Sequence, residues 1–192
     1  MIYKNKVFSE IDIKSKDFEE DTFLACKLTN INFRFVSFTK CEFTFCDFSG
    51  STFDITRFSK CRFSESKLSN LDFSGVDLKE CDFSEAVVEN SIFQQLKDAS
   101  KSIRKKFDLT DCKFENANLT GSVFVLCNLV KVNFSNSKLE YCVFEKCDLS
   151  GVNLSGASIN GANFERSKID RTILDINGFI TFGNSKGFIL GE

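Results

Sequence analysis

From Phe8 to Leu174 the chain places a Phe, Leu, Ile or Val at every fifth position, with one interruption. The anchors run Phe8, Ile13, Phe18, Phe23 and Leu28, and continue by fives to Phe93. They resume at Leu109, Phe114 and Leu119 and continue to Leu174. An α-helix repeats at about 3.6 residues and a strand at about 2, so neither explains this beat. A fixed period is the signature of a repeat architecture in which each unit packs on its neighbours.

With each anchor at the centre of a five-residue unit, the position two before it is small or apolar: Cys26, Ile31, Val36, Cys41, Cys46, Ser51, and later Ala117, Ser122, Val132. The residue before the anchor is often Asp or Asn, the one after it Ser or Thr, and Gly recurs in the last place. Two inward and three outward positions per unit predict a tight coil of short strand-like sides joined by turns, with Gly relieving positive-φ corners.

Of the 24 Phe, 18 are anchors; Phe35, Phe45, Phe107, Phe179, Phe182 and Phe188 are not. Burial of each anchor contributes roughly 1.5–3 kcal/mol, enough for a core without metal or disulfide. The absence of Pro suits a backbone whose N–H groups are needed in ladders. No apolar run is long enough for a membrane span and no signal-peptide core follows Met1. The nine Cys are therefore expected as reduced thiols in a cytoplasmic protein. A net charge of −2 says little about partners.

Units such as Cys46-Asp47-Phe48-Ser49-Gly50, Ala117-Asn118-Leu119-Thr120-Gly121 and Val152-Asn153-Leu154-Ser155-Gly156 resemble the pentapeptide-repeat family. The resemblance covers about 8–174. It implies an all-β solenoid, a right-handed quadrilateral β-helix with four units per coil. That makes about eight coils and a rod on the order of 40 Å long. The repeat body is expected over 1–176 and a C-terminal cap over 177–192.

The irregularities carry more specific expectations. Lys6, Lys16 and Asp21 occupy inward slots, which marks the first coil as an open, hydrated end whose polarity discourages stacking. At the other end Phe179, Ile180, Phe182, Phe188, Ile189 and Leu190 follow the last repeat. A solenoid needs a cap. Resemblance to the gyrase-protecting branch implies that this end also joins two rods into a homodimer; a purely intramolecular cap is the alternative.

Leu109 follows Phe93 by 16 positions, so an 11-residue insertion restores the beat. The cysteines agree: Cys41, Cys61 and Cys81 lie 20 apart, and removing 11 residues puts Cys112 next in the same column. A projecting loop over about 94–106 is expected, basic through Lys97, Lys101, Arg104 and Lys105, with 107–109 re-entering the coil.

Enzymatic chemistry is poorly served. There is no His for a general base, no Cys-x-x-Cys and no phosphate-cradling glycine motif. The stacked thiols read as small buried hydrophobes. No cofactor or metal is expected, and no catalytic residue is assigned.

The outward residues differ in charge from side to side. The side built on Phe23, Phe43, Phe63, Phe83 and Phe114 carries Glu42, Glu65, Asp82, Glu85 and Glu115 against Arg62 and Lys113, and is the most acidic of the four. Such a stripe presents a phosphate-like charge pattern to a basic DNA-binding groove. A second side, built on Ile13, Phe33, Phe53, Phe73 and Phe93, is apolar outside through Phe35, Ile55, Ile92, Val123, Val125, Leu126 and Val143. Either Leu96 and Ile103 of the loop or a partner is expected to cover it.

Resemblance to the quinolone-resistance (Qnr) class implies a target: an acidic rod occupying the DNA-binding saddle of DNA gyrase or topoisomerase IV, with the loop contacting the enzyme and no direct contact with nucleic acid. Members of that class typically carry two loops, and this chain runs unbroken up to Phe93. The alternatives are a scaffold for a different protein partner and an immunity factor against a gyrase-targeting toxin.

Overall fold

The computed structural model describes residues 1–95 and 106–191. Over these residues the chain is a parallel β-solenoid with four sides per turn. Short strands stack in register 20 residues apart: Asp17–Glu19, Ser37–Thr39, Thr56–Ser59 and Val76–Lys79 form the longest ladder, with Phe18 facing Phe38 and Phe38 facing Phe58. Bridges between successive turns run from Val7↔Lys27 to Asn153↔Ile173.

Across the interruption the offset becomes 31, as in Phe93↔Phe124 and Asp82↔Lys113, which is the 11-residue slip the sequence predicts. Phe107 re-enters beside Cys127 and donates its N–H to the Leu126 carbonyl at 3.0 Å.

The anchors fill the interior. Phe63 stacks on Phe83 at 4.7 Å between centroids, Phe83 on Phe114 at 5.1 Å and Phe114 on Phe134 at 5.0 Å, all within 13° of parallel. Rings from different sides meet edge to face in the centre, as Phe114 and Phe124 do at 6.4 Å. Both geometries are the ones aromatic quadrupoles favour. The axial spacing matches the separation of hydrogen-bonded strands, so the backbone ladder and the ring stacks impose the same rise.

The second inward position has a chemical task as well as a size limit. Each anchor carbonyl points into the wall of the coil, where an unpaired acceptor would be costly. Two solutions occur. In one, the N–H three residues later closes the corner, as Ala117 N–H does to Phe114 O at 3.2 Å. In the other, a hydroxyl or thiol of the next coil supplies the donor: Ser51 Oγ to Leu28 O at 2.6 Å, Thr56 Oγ1 to Phe33 O at 2.7 Å, and Cys46 Sγ to Phe23 O at 3.2 Å. Among the described residues no buried side-chain N or O lacks a partner.

The corners sit at left-handed φ, and most are not Gly: Asn30 lies at 56°, Phe35 at 54° and Glu65 at 54°, beside Gly50 at 72°. Asn tolerates this region; Phe and Glu do so at a cost the ladders absorb. Gly75 breaks the expectation, because its φ is not positive. There a Cβ would lie 2.4 Å from the Phe53 carbonyl oxygen, so close backbone approach is what requires glycine.

The N-terminal end is more closed than the sequence suggests. The ladder begins one unit before Phe8, with Ile2–Lys4 paired to Thr22–Leu24 and Tyr3 stacked on Phe23 at 5.0 Å. A short helix, α1 (Glu10–Ile13), replaces the strand of the next side but one and still buries Ile13. Asp21 is buried rather than hydrated, and the Met1 amino group pairs with it. Lys6 reaches Asp12 at 3.1 Å and lies 4.4 Å from the Phe8 ring; Lys16 donates to the Asp12 carbonyl at 2.7 Å.

The C-terminal end is covered by α2 (Ile176–Ser185). Asp175 caps it, accepting from Gly178 N–H at 2.7 Å while its other oxygen accepts from Gly156 N–H at 2.9 Å. Those donors hold the carboxyl below its ordinary pKa. Phe182 packs edge-on against Phe164 at 6.0 Å.

Candidate protein interface

Each anchor leaves three outward positions, so a side displays its residues as rows that climb one coil at a time. On the Phe23–Phe43–Phe63–Phe83 side, the row before the anchors reads Glu42, Arg62, Asp82, Lys113, Asn133, each bridged to the next. Cations therefore alternate with the carboxylates here, and Arg62 lies 4.0 Å from Asp82.

The corner row of the same side reads Phe45, Glu65, Glu85, Asn116. Glu65 and Glu85 stand one coil apart on left-handed corners that project them from the wall. Glu115 stands beside Glu85, whose N–H donates to the Glu115 carbonyl at 3.0 Å. Glu42 is exposed on the row before, whereas Asp82 and Glu115 are half-buried. Among the described residues, Asp82 is the member of this set that an Arg or Lys holds.

The near edge of this side carries Glu80, engaged by Lys60 at 3.4 Å, and Asp111. Asp175 shares the side in sequence but is committed to the cap of α2. The structure thus gathers the acidic set on one side; among the described residues Glu42, Glu65, Glu85 and Glu115 pair with no Arg or Lys, and Glu65 and Glu85 stand on the projecting corner row.

Lys97, Lys101, Arg104 and Lys105, together with Leu96 and Ile103, lie outside the described residues. The flanks are described: Gln95 stands on the corner row that includes Phe35 and Ile55, and Lys106 lies 3.9 Å from Asp148. That carboxyl is held below its ordinary pKa by the Ser150 hydroxyl above all, with Lys168 and Lys106 adding to it.

At the C-terminal end the six apolar residues divide. Ile180 and Phe182 are half-buried, Phe182 against the core, while Phe179, Phe188, Ile189 and Leu190 are exposed. Ile169, Ile173 and Ile176 extend the exposed apolar surface around them.

The cysteines are all buried and free. Burial pushes the thiols of Cys46 and Cys142 up to about 12 and those of Cys112 and Cys127 higher still, which keeps them protonated at neutral pH. Their role as donors to carbonyls was not read from the sequence. The role depends on the corner: Cys26, Cys41, Cys46, Cys61, Cys81, Cys127 and Cys147 each follow one that its own backbone N–H does not close, which only the folded backbone shows. No group of three or more His, Cys, Asp or Glu among the described residues is arranged to hold a metal. No described helix is long and apolar enough to cross a membrane.

Among solved structures, the chain superposes on QnrB1, a plasmid-mediated fluoroquinolone resistance protein, in two trypsin-treated variant forms. One gives a TM-score of 0.60 at 14% identity, covering 100% of this chain and 99% of that one. The other gives 0.63 at 17% identity, covering 99% of each. At such identity the likeness is one of fold, end to end. No curated protein matches in sequence. The family model for pentapeptide repeats matches eight copies, at residues 25–54, 56–95, 108–145 and 127–166. The five-residue beat, its slip and the four-sided ladder thus have one account: this chain belongs to the pentapeptide repeat family.

Proposed function

We propose that this protein binds a type II topoisomerase, DNA gyrase or topoisomerase IV, as a mimic of DNA, and protects it from fluoroquinolones or modulates it. The observation that carries the reading is the strip of carboxylates at Glu65 and Glu85, flanked by Glu42, Asp82 and Glu115, on one side of a narrow rod. Stacked carboxylates one coil apart offer a basic saddle a line of negative charge on a stiff support, and such complementarity acts chiefly on encounter and register. The fold shared with QnrB1 over the whole chain supports the choice of target.

Binding is stoichiometric, without turnover, and takes place in the cytoplasm. Lys97, Lys101, Arg104 and Lys105 contact the enzyme beside the saddle. The exposed apolar surface of Phe179, Phe188, Ile189 and Leu190 joins two rods end to end in a homodimer, since apolar area of this kind usually marks a contact.

The test is a supercoiling and DNA-cleavage assay with purified gyrase, with and without a fluoroquinolone. The expected result is inhibition or drug protection at stoichiometric dimer. No effect on either activity rejects the target. Reversal of charge at Glu65, Asp82 and Glu85 should weaken the effect about tenfold or more, and the same change at Glu19 and Glu20 should not. Equal loss from both sets rejects the strip.

A further inference from the structure

A second surface lies on a different edge of the rod. Where the Phe33–Phe53–Phe73 side turns into the side built on Phe18, Phe38 and Phe58, the corner row reads Phe35, Ile55, Gly75. Phe35 is 49% exposed and Ile55 65% exposed, although both stand among charged residues. At Gly75 the wall drops, because the approach of the Phe53 carbonyl leaves no room for a side chain. An open cleft of about 570 Å³ runs along this corner, with Gly75 and Gln95 among its lining residues. Val36, Thr56 and Val76, all buried, form its floor.

The charge of the cleft is one-sided. Asp17, Asp54 and Asp77 line it against a single cation, Arg57. Arg57 is held by Asp77 at 3.2 Å. Arg34, just outside, is held by Asp54 at 3.0 Å and stacks on the Phe35 ring at 5.1 Å. Asp17 is engaged by the Ser37 hydroxyl and, among the described residues, by no cation. An occupant must therefore cover two large apolar side chains and bring positive charge.

We propose that this cleft docks an extended segment of a partner protein that carries large apolar side chains and lysine or arginine. A second copy of this chain would bring the same two carboxylate–arginine pairs and another Asp17 that no described cation engages, and so no free cation for the first. Nucleic acid would bring negative charge to a negative cleft. An apolar and basic segment satisfies both halves of the surface, the side chains on Phe35 and Ile55 and the cation on Asp17. The site is on the corner away from the acidic strip, so one rod holds two contacts at once, and its occupancy does not depend on the topoisomerase reading.

The test titrates a fluorescein-labelled peptide that alternates leucine with serine and lysine against the full chain, followed by anisotropy. A version with glutamate in place of lysine is titrated in parallel. Saturable binding of the lysine peptide is expected, with at least tenfold loss in the Phe35→Ser/Ile55→Ser double variant and a several-fold loss in Asp17→Asn. The glutamate peptide should not bind. Circular dichroism of the variants should match the parent, since both apolar side chains lie outside the core. Absence of binding, or equal affinity for the double variant, overturns the proposal. Binding that emerges only after residues 96–105 are replaced by a glycine-serine linker also overturns it, by assigning the cleft to the chain's own segment. A parent dimer that the double variant converts to monomer in sedimentation overturns it in favour of a second copy.

Discussion

The two halves of the rod solve one packing problem differently. Between Phe33 and Phe63 every anchor is Phe, whereas between Leu109 and Leu149 Leu and Phe alternate strictly. The axial spacing does not change: Phe43 and Phe63 stack at 5.1 Å, Phe114 and Phe134 at 5.0 Å. What changes is how often a corner is closed by its own backbone, although Phe48 and Phe63 are closed in the first half and Phe124 and Phe144 open in the second. In the first half Phe23, Phe33, Phe38 and Phe43 leave corners unclosed by their own backbone, and Cys46, Thr56, Cys61 and Ser66 of the next coil supply the donors. In the second half, Leu109, Phe114, Leu119, Leu129 and Leu139 each accept the N–H three residues on. Ring size alone does not decide which corners close: Leu28 and Leu68 also leave open corners, served by Ser51 and Ser91, whereas Phe48 and Phe63 accept the N–H three residues on. A corner left open by its own backbone takes its donor from the next coil.

The largest effect should come from the rings themselves. Phe63→Ala removes a side chain stacked above and below and should cost about 3–5 kcal/mol in urea unfolding. Leu129→Ala, in the alternating half, should cost about 2–5 kcal/mol, because less is removed. Equal losses at the two sites would mean that the Phe-rich half repacks and the contrast is only one of composition.

A smaller effect should separate the two kinds of corner. Ser51→Ala leaves the Leu28 carbonyl and the Ile31 N–H without the hydroxyl both use, at 2.6 and 3.0 Å, and should cost about 1–3 kcal/mol. Cys46→Ala should resemble it. Cys142→Ala should cost less than Cys46→Ala, because Leu119 O, the acceptor of its thiol, also receives the Ser122 N–H at 2.9 Å. A reversed order would reject the account of the open corners.

Alkaline pH offers a third contrast. The thiols of Cys46 and Cys142 are raised by burial from an ordinary 9.0 to about 12. A raised pKa gives stability that is complete below the unfolded value and is lost as pH rises towards the folded one. Stability should therefore fall between about pH 9 and 12, at roughly 1.4 kcal/mol per unit for each thiol. Cys46→Ser should flatten that fall; an unchanged slope would place the alkaline sensitivity elsewhere.

The smallest effect concerns the N-terminal end. Asp12 is held well below the usual carboxylate range by the Ser9 hydroxyl and N–H and by Lys6. Its contribution is complete above the unfolded pKa and lost progressively as pH falls from there through the folded one, so loosening of α1 should set in below the ordinary value of 3.8 and be complete only in strong acid. Asp12→Asn should remove that acid dependence from hydrogen exchange of the first coil, leaving the coils beyond it unchanged.

Much of this was legible in the sequence because a period of five admits few architectures, and because the spacing of Cys81 and Cys112 measured the slip. Tyr3 was not legible because the five-residue beat is otherwise set by Phe, Leu, Ile and Val, and a tyrosine one unit before Phe8 does not stand out from them. The charges of Lys6, Lys16 and Asp21 marked an end correctly. Their pairing depended on the Met1 amino group and α1, which no repeat pattern contains. The acidic side was readable by counting residues per row. That Arg62 and Lys113 interleave with Glu42 and Asp82, leaving Glu65 and Glu85 foremost, required the register between coils. Gly75 lines the cleft at a close backbone approach, and one glycine among many gives no notice of that.

Phe93 and Phe124 stack at 4.7 Å and 3° from parallel, as closely as an uninterrupted pair such as Phe63 and Phe83, although 30 residues of chain separate them instead of 19. The core does not register the length of what was added at that corner. A solenoid of this kind can therefore be edited at its corners much as a text is annotated in its margin, acquiring new partners by insertion without renegotiating the fold that displays them.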